Sequence, residues 1–349
     1  MDLSGLFVGN FLRPGAIRQK LRSFQPVEPQ KLFDALGEFV KTGKRGDLIL
    51  LLRVGADVDG FVKQKLLEGS QNRTALMQAV VSGSLEAVKM LVSVGARLER
   101  RTKFGLSALH LGCMEGRVKI VEYLVKKGAE MEALTREGRT PLWLSALMGH
   151  EKVVEFLASK GANVRTAEWS GDSALHAAAV RGHREAVKVL LDRGANIDAE
   201  GKFQLTPLAL TTLYPNDHLD VAKLLVRRGA NVNHRAVQGG TVLHAAALNG
   251  SADVLEYVLT RDVDLHARDD FGRTALHYAT RHCLGGGEDD LELNKIRIAQ
   301  RLLTRGIDVN ALDVYGETAR DLSRKRPEDS LVRMWFANLH KVGAILVPS

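Results

Sequence analysis

The chain is poor in cysteine. There are two in 349 residues, Cys113 and Cys283. That excludes a disulfide-stapled domain, and neither residue stands at zinc-ligand spacing, so two lone thiols fit a reducing compartment. Aromatic residues are also scarce, at 5%, although 45% of the chain is hydrophobic. A core of that make-up is filled by Leu, Val and Ala, which suit narrow gaps between helices. No apolar run approaches the roughly 18–20 residues of a membrane-spanning helix. Catalytic signatures are missing as well: no Gly-x-Ser-x-Gly, no phosphate loop ending Gly-Lys-Ser/Thr, no His-Glu-x-x-His and no Cys-x-x-Cys occurs. Gly285-Gly286-Gly287 runs straight into Glu288, Asp289 and Asp290, whose charge repels phosphate. The sequence therefore predicts no catalytic residues, no metal site and no cofactor.

What is present is repetition. The stretch from Gly138 to Gly171 reads Gly138-Arg139-Thr140-Pro141-Leu142-Trp143, then Gly149-His150, then Lys160-Gly161-Ala162-Asn163. Thr140 suits a helix N-cap, and Pro141 suits the first helical position, where its missing N–H costs nothing. Gly149 fits the left-handed residue that ends that helix. A second apolar-periodic helix follows from Glu151 to about Ser159, and a polar extended finger closes the unit. The turn signal recurs at Asn72, Gly105, Gly138, Gly171, Gln204, Gly239, Gly272 and Gly316, at steps of 33 except for one of 35 and one of 44. Periods of this size mark solenoids, which grow in one dimension and need not split into domains by length.

Leu109-His110, Leu175-His176, Leu243-His244 and Leu276-His277 fill the same slot of the first helix, and Gly95-Ala96, Gly128-Ala129, Gly161-Ala162, Gly194-Ala195 and Gly229-Ala230 close the second. On these residues the chain resembles the ankyrin repeat family over most of 46–314. The resemblance implies an all-α solenoid of helix-turn-helix units joined by β-hairpin fingers, about nine repeats including divergent caps. It also implies that the four histidines hydrogen-bond between neighbouring fingers rather than bind metal, and that function lies where the repeat tolerates variation.

Residues 1–29 then read as an N-terminal arm, basic after an apolar start. The segment 30–71 reads as a degenerate capping repeat, with Leu32, Phe33, Leu36, Phe39 and Val40 at helical spacing. Seven standard repeats occupy 72–315, and 316–349 form a divergent C-terminal cap. In that cap a helix starting at Pro327 carries Leu331, Met334, Trp335, Leu339 and Val342 as its apolar stripe. Tyr214-Pro215-Asn216-Asp217 lengthens one inter-helix turn. A longer insertion at 284–295 combines glycines with acids and reads as a solvated loop, since it lacks the alternating ligands of a calcium loop.

The formal net charge is +8. Many of the cations, including Lys126-Lys127, Lys160, Arg193 and Arg227-Arg228, fall in the last turn of a second helix, where they complement the helix dipole. A structural reading of the basic excess is therefore preferred to nucleic-acid binding. The fingertips and the ends of the first helices make the concave face in this family. There Phe104, Met114, Arg136, Met148, Trp169, Arg181, Phe203 and Tyr214 combine aromatics, Met and Arg, the types enriched at protein interfaces. The expectation is a monomeric, non-enzymatic scaffold or adaptor of the cytoplasm or nucleus. It would bind another protein that offers apolar anchors with some acidic character. The alternatives are an inhibitor that masks a partner's surface and a basic protein associated with nucleic acid. Phe104, Phe203, Phe271 and Tyr315 share one finger slot and could equally brace adjacent fingers, whereas Trp169 lies off that slot.

Overall fold

The computed structural model describes residues 29–42, 46–53, 56–63, 72–213, 217–281 and 288–339. The expected N-terminal arm, Tyr214-Pro215-Asn216, Cys283, the glycines at 285–287 and Val342 lie outside these residues. The chain forms two compact units, Met1–Glu130 and Met131–Ser349.

In the first unit, helices α1 (Pro29–Thr42) and α2 (Gly46–Arg53) precede a short antiparallel pair, β1 (Val62–Lys63) and β2 (Asn72–Arg73). Two helix pairs follow: α3 (Ala75–Val81) with α4 (Leu85–Ser93), and α5 (Ala108–Met114) with α6 (Val118–Lys126). Leu32, Leu36 and Phe39 form the buried stripe of α1, which packs on both α2 and α3. Cys113 is fully buried in α5, and that burial pushes its thiol pKa far up, so it packs as a small apolar side chain.

The second unit repeats one motif. Its first helices are α7 (Pro141–Leu147), α9 (Ala174–Val180), α11 (Pro207–Leu210), α13 (Val242–Asn249), α15 (Ala275–Ala279) and α17 (Ala319–Arg324), each in contact with the next. The second helices, α8 (Glu151–Ser159), α10 (Arg184–Asp192), α12 (Leu219–Arg227), α14 (Ala252–Val258) and α16 (Glu288–Thr304), stack in a parallel row. α18 (Leu331–Ala337) closes the unit against α16 and α17. Leu142, Leu175, Leu208, Leu243 and Leu276, one per repeat, are almost fully buried. Truncating any of them to Ala would cost about 2–5 kcal/mol.

The histidine slot explains how a helix two turns long holds its end and its neighbour at once. His176, His244 and His277 sit three residues past the N-caps Ser173, Thr241 and Thr274. Each Nδ1 accepts the backbone N–H of its N-cap residue, at 3.0–3.1 Å. The proton must then sit on Nε2, which donates into the next finger: His176 to Ala199 O and Leu205 O, His244 to Arg273 O, His277 to Glu317 O. Trp143 fills the same slot, and its Nε1–H donates to Asp172 O at 3.0 Å. Ala209 stands there in the next-but-one repeat. Its methyl reaches nothing polar, and a small cavity lined by Thr206, Ala209, His234 and Gly240 lies beside it.

Two expectations at the C-terminal end need correction. The 284–295 insertion is not a loop across its described part: from Glu288 it is the start of α16, which has 17 residues where α8, α10 and α12 have 9. Leu291, Lys295, Ile298, Ala299 and Leu302 are buried along one face of it. Glu292 accepts hydrogen bonds from Arg326, from the Ser330 hydroxyl and from Val332 N–H, which fastens the added turns to the C-terminal cap. Burial pushes the Glu292 carboxyl up, but those hydrogen bonds more than offset it and hold the carboxyl below its usual range. The last helix starts at Leu331 with Ser330 as its N-cap, not at Pro327. Its buried residues are Val332 and Phe336, while Met334 is exposed, because α16 and α17 cover the face one residue round from the expected stripe.

Candidate partner-binding surface

The fingers position the candidate residues, and most of the described fingers are four-residue turns with a polar residue at the base. Thr135 Oγ1 accepts from Glu137 N–H and Arg139 N–H. Glu168 accepts from Ser170 N–H. Asp269 accepts from Phe271 N–H and Arg273 N–H, and Asp313 from Tyr315 N–H and Glu317 N–H, all at 2.8–3.0 Å. Neighbouring tips are tied through their backbones: Trp169 N–H donates to Glu137 O, Asp270 N–H to Gln238 O and Val314 N–H to Phe271 O. Two fingers lack the polar base, with Gly201 and Ala236 in its place. Among the described residues, only in these do residues other than glycine turn left-handed: Phe203 at φ 58°, Gln204 at 57° and Gln238 at 65°.

Of the expected binding residues, Phe104 and Met114 belong to the first unit. Phe104 is exposed beneath its own Lys103, 4.9 Å from the ring centroid, and Met114 is half-buried at the end of α5. Tyr214 lies outside the described residues. The other five belong to the second unit. Arg136, Trp169 and Phe203 are exposed on successive fingertips. Met148 and Arg181 are exposed at the C-caps of α7 and α9.

Trp169 is 73% exposed, yet one edge of its ring is engaged. The indole lies across Gly138, where a Cβ would come within 2.4 Å of it. Trp169 therefore braces the preceding finger while presenting most of its surface outward. The slot shared by Phe104, Phe203, Phe271 and Tyr315 divides. The Arg273 guanidinium, paired with buried Asp313 at 3.2 Å, lies over both Phe271 and Tyr315 and braces them. Phe203 has only its neighbour Lys202 over its ring, at 5.1 Å, and is 63% exposed.

The row of first-helix ends is fixed by imidazoles. His183 Nε2 donates to Leu147 O and His218 Nε2 to Val180 O, both at 3.1 Å. The His218 ring lies so close to Gly182 that a Cβ there would sit 2.3 Å from it. Burial lowers the His183 pKa, the Leu147 carbonyl opposes this, and the charge of Arg181 lowers it further. His183 thus stays a neutral donor at neutral pH, directly beside the exposed Arg181.

The charges around this surface are sorted by direction. Glu168 and Asp172 are used internally: Glu168 caps its own turn, and Asp172 accepts Lys202 N–H. Glu137 is paired with Arg139 at 2.8 Å. Arg136, Arg181 and Lys202 are exposed, and no described carboxylate pairs with them. The polar base of each finger was the signal that sequence reasoning passed over. A Thr, Glu or Asp three residues before the turn glycine recurs at Thr102, Thr135, Glu168, Asp269 and Asp313. Among the described residues no group of three or more His, Cys, Asp or Glu converges as a metal site, and no helix is long and apolar enough to cross a membrane.

Comparison with known proteins agrees with the repeat fold. The family described as "Ankyrin repeats" matches in three copies, over residues 39–135, 128–201 and 208–313. A solved structure of the human ASB11 ankyrin repeat domain superposes with a TM-score of 0.54 at 31% identity, covering 64% of this chain and 98% of that domain. Dog inversin is 39% identical over 85 residues, which are 24% of this chain and 8% of inversin. Zebrafish Notch-regulated ankyrin repeat-containing protein A is 37% identical over 83 residues, covering 24% of this chain and 69% of that protein. The similarity to inversin thus spans a small fraction of that protein's length.

Proposed function

Because this chain belongs to the ankyrin repeat family, whose repeats generally mediate protein–protein interaction, we propose that it is a non-enzymatic scaffold or adaptor. It docks a partner protein on its fingertips and first-helix ends, as a single chain, in the cytoplasm or nucleus. One observation carries this reading. In a chain whose large apolar residues are mostly buried, Trp169, Phe203 and Met148 stand exposed on adjacent repeats of one row or the other. Exposed clustered aromatics and Met are the usual anchors of protein interfaces. The basic excess does not favour nucleic acid, because many cations are spent inside the fold. Arg235 and Arg268 bond backbone carbonyls of the following finger, and Arg297 and Arg301 clamp Glu256.

The test is affinity capture from native lysate with three proteins of matched circular dichroism: the unaltered chain, Trp169→Ala/Phe203→Ala/Arg181→Ala, and an outer-helix control, Lys152→Ala/Lys188→Ala/Lys223→Ala. The expected result is a set of proteins retained by the first and the control and lost from the face variant. Equal retention by all three would move the binding site elsewhere on the molecule.

A further inference from the structure

We infer that the surface spanning the fingers at 136–139, 169–172 and 202–204 takes an acidic, extended peptide segment bearing an aromatic or aliphatic side chain. The inference rests on the docking role proposed above and names the chemistry of the partner.

Charge complementarity carries it. A cation on a folded surface is ordinarily neutralised nearby or solvated alone. Along the later fingers the cations are neutralised or spent: Arg273 on Asp313, Arg235 and Arg268 on carbonyls. On the earlier fingers the arrangement is reversed. The acids, Glu168 and Asp172, turn inward to receive backbone N–H groups, and Glu137 is held by Arg139. Arg136, Arg181 and Lys202 point to solvent with no described carboxylate on them. The outer helices also carry unpaired lysines, such as Lys152 and Lys188, but no exposed large apolar residue stands in their helices. On the finger and helix-end rows the free cations stand in the same rows as exposed Trp169, Phe203 and Met148.

The local geometry matches such an occupant in two further ways. Lys202 lies over the face of Phe203, so a carboxylate that reaches Lys202 brings its chain against the ring. The Phe203–Gln204 turn is left-handed, a backbone state that is costly for residues other than glycine and is found where structure serves a site. It leaves Phe203 exposed without the neighbouring-finger Arg273 that lies over Phe271 and Tyr315. Positive charge interleaved with aromatics could also meet a nucleic acid. The mixture of Met and Trp with only three free cations favours a peptide, and the test separates the two.

The probe is a fluorescein-labelled library of short synthetic peptides, each with one fixed Trp, Phe or Leu flanked by Asp/Glu, by Ser/Gly or by Lys/Arg, read by fluorescence polarisation. A random-sequence DNA duplex is run in parallel. Two variants of matched circular dichroism are compared with the unaltered chain: Arg136→Glu/Arg181→Glu/Lys202→Glu, and the control Lys152→Glu/Lys188→Glu/Lys223→Glu. The expected result is selection of acidic-flanked apolar peptides, a loss of about tenfold or more in affinity with the face reversal, a shift of that variant toward Lys/Arg-flanked peptides, and no change in the control. Selection that ignores the flanking charge, equal loss in the control, or binding of duplex in preference to every peptide would each overturn it. If no peptide is selected, the acidic-segment inference fails. In that event the lysate capture, repeated with Trp169→Ala/Phe203→Ala alone, still decides the docking role, because that variant removes the apolar anchors and leaves the charges in place.

Discussion

The fingers at 269–272 and 313–316 are built differently from those at 201–204 and 236–239. The first two have a buried aspartate at the base, Asp269 or Asp313, which collects two turn N–H groups and leaves only the final glycine left-handed. It also gathers a partner from elsewhere, the Tyr278 hydroxyl at 2.7 Å for Asp269 and Arg273 for Asp313. The second two have Gly201 and Ala236 there, and Phe203, Gln204 and Gln238 are forced into a region that L-residues avoid. The repeat between these two fingers is also the one whose first helix shrinks to 4 residues and whose histidine slot holds Ala209. One side chain at the base of a turn thus decides whether the turn N–H groups close on a side chain or residues other than glycine turn left-handed. Arg273 lies over the aromatics of both aspartate-based fingers, Phe271 and Tyr315, whereas Phe203 has its own neighbour Lys202 over its ring; Tyr315 and Phe203 are exposed alike.

The largest way to break this contrast is Asp313→Ala. It would remove the acceptor of two part-buried turn N–H groups and leave Arg273, whose side chain is 16% exposed, without its partner. A loss of about 3 kcal/mol is expected, seen in urea unfolding as early release of the C-terminal repeats; a loss under about 1 kcal/mol would show that the base residue does not organise the finger.

Acid gives a smaller, distributed effect. Burial lowers the pKa of His176, His244 and His277 below the ordinary 6.5, and protonation of Nδ1 would also end its acceptance of the N-cap N–H. The unfolded chain therefore binds protons first. The stability these neutral rings contribute is whole above about pH 6.5 and is lost as pH falls from there toward the folded-state pKa values. Melting temperature should drop by a few degrees between pH 7.5 and 5.5, and by less when His244 is replaced by Gln. An unchanged melting temperature over that interval would contradict the proton placement.

The smallest effect runs in the stabilising direction. Gln204→Gly relieves a left-handed backbone without removing a side chain that the fold uses, and should raise stability by about 0.5–1 kcal/mol in chemical denaturation. If it destabilises, the side chain of Gln204 has a structural role that its exposure conceals.

Much of the architecture could be read residue by residue. Thr140, Pro141 and Gly149 announced a capped helix and its stop, and the structure has Thr140 as the N-cap, Pro141 at the first position and Gly149 left-handed at φ 74°. Arg136, Met148, Trp169, Arg181 and Phe203 all proved exposed, since their repeat positions point away from the stack. The insertion at 284–295 misled because glycines followed by four acids look solvated when taken locally. What makes its end a helix is the docking of Glu292 on Arg326 and Ser330, 34 and 38 residues further on. The stripe of the last helix was misplaced for a similar reason: Leu331, Met334 and Trp335 are apolar, but which apolar face is covered depends on α16.

The sequence by itself determined the repeat, its period and its caps, because these rest on local chemistry: hydroxyl N-caps, glycine stops and apolar periodicity act within a few residues of themselves. Only the tertiary structure decided the left-handed tip at Phe203, the seating of Trp169 on Gly138, and the inward turn of the acids that leaves Arg136, Arg181 and Lys202 free. Those depend on which groups a neighbouring repeat, some 30 residues away in the chain, brings within hydrogen-bonding or contact distance.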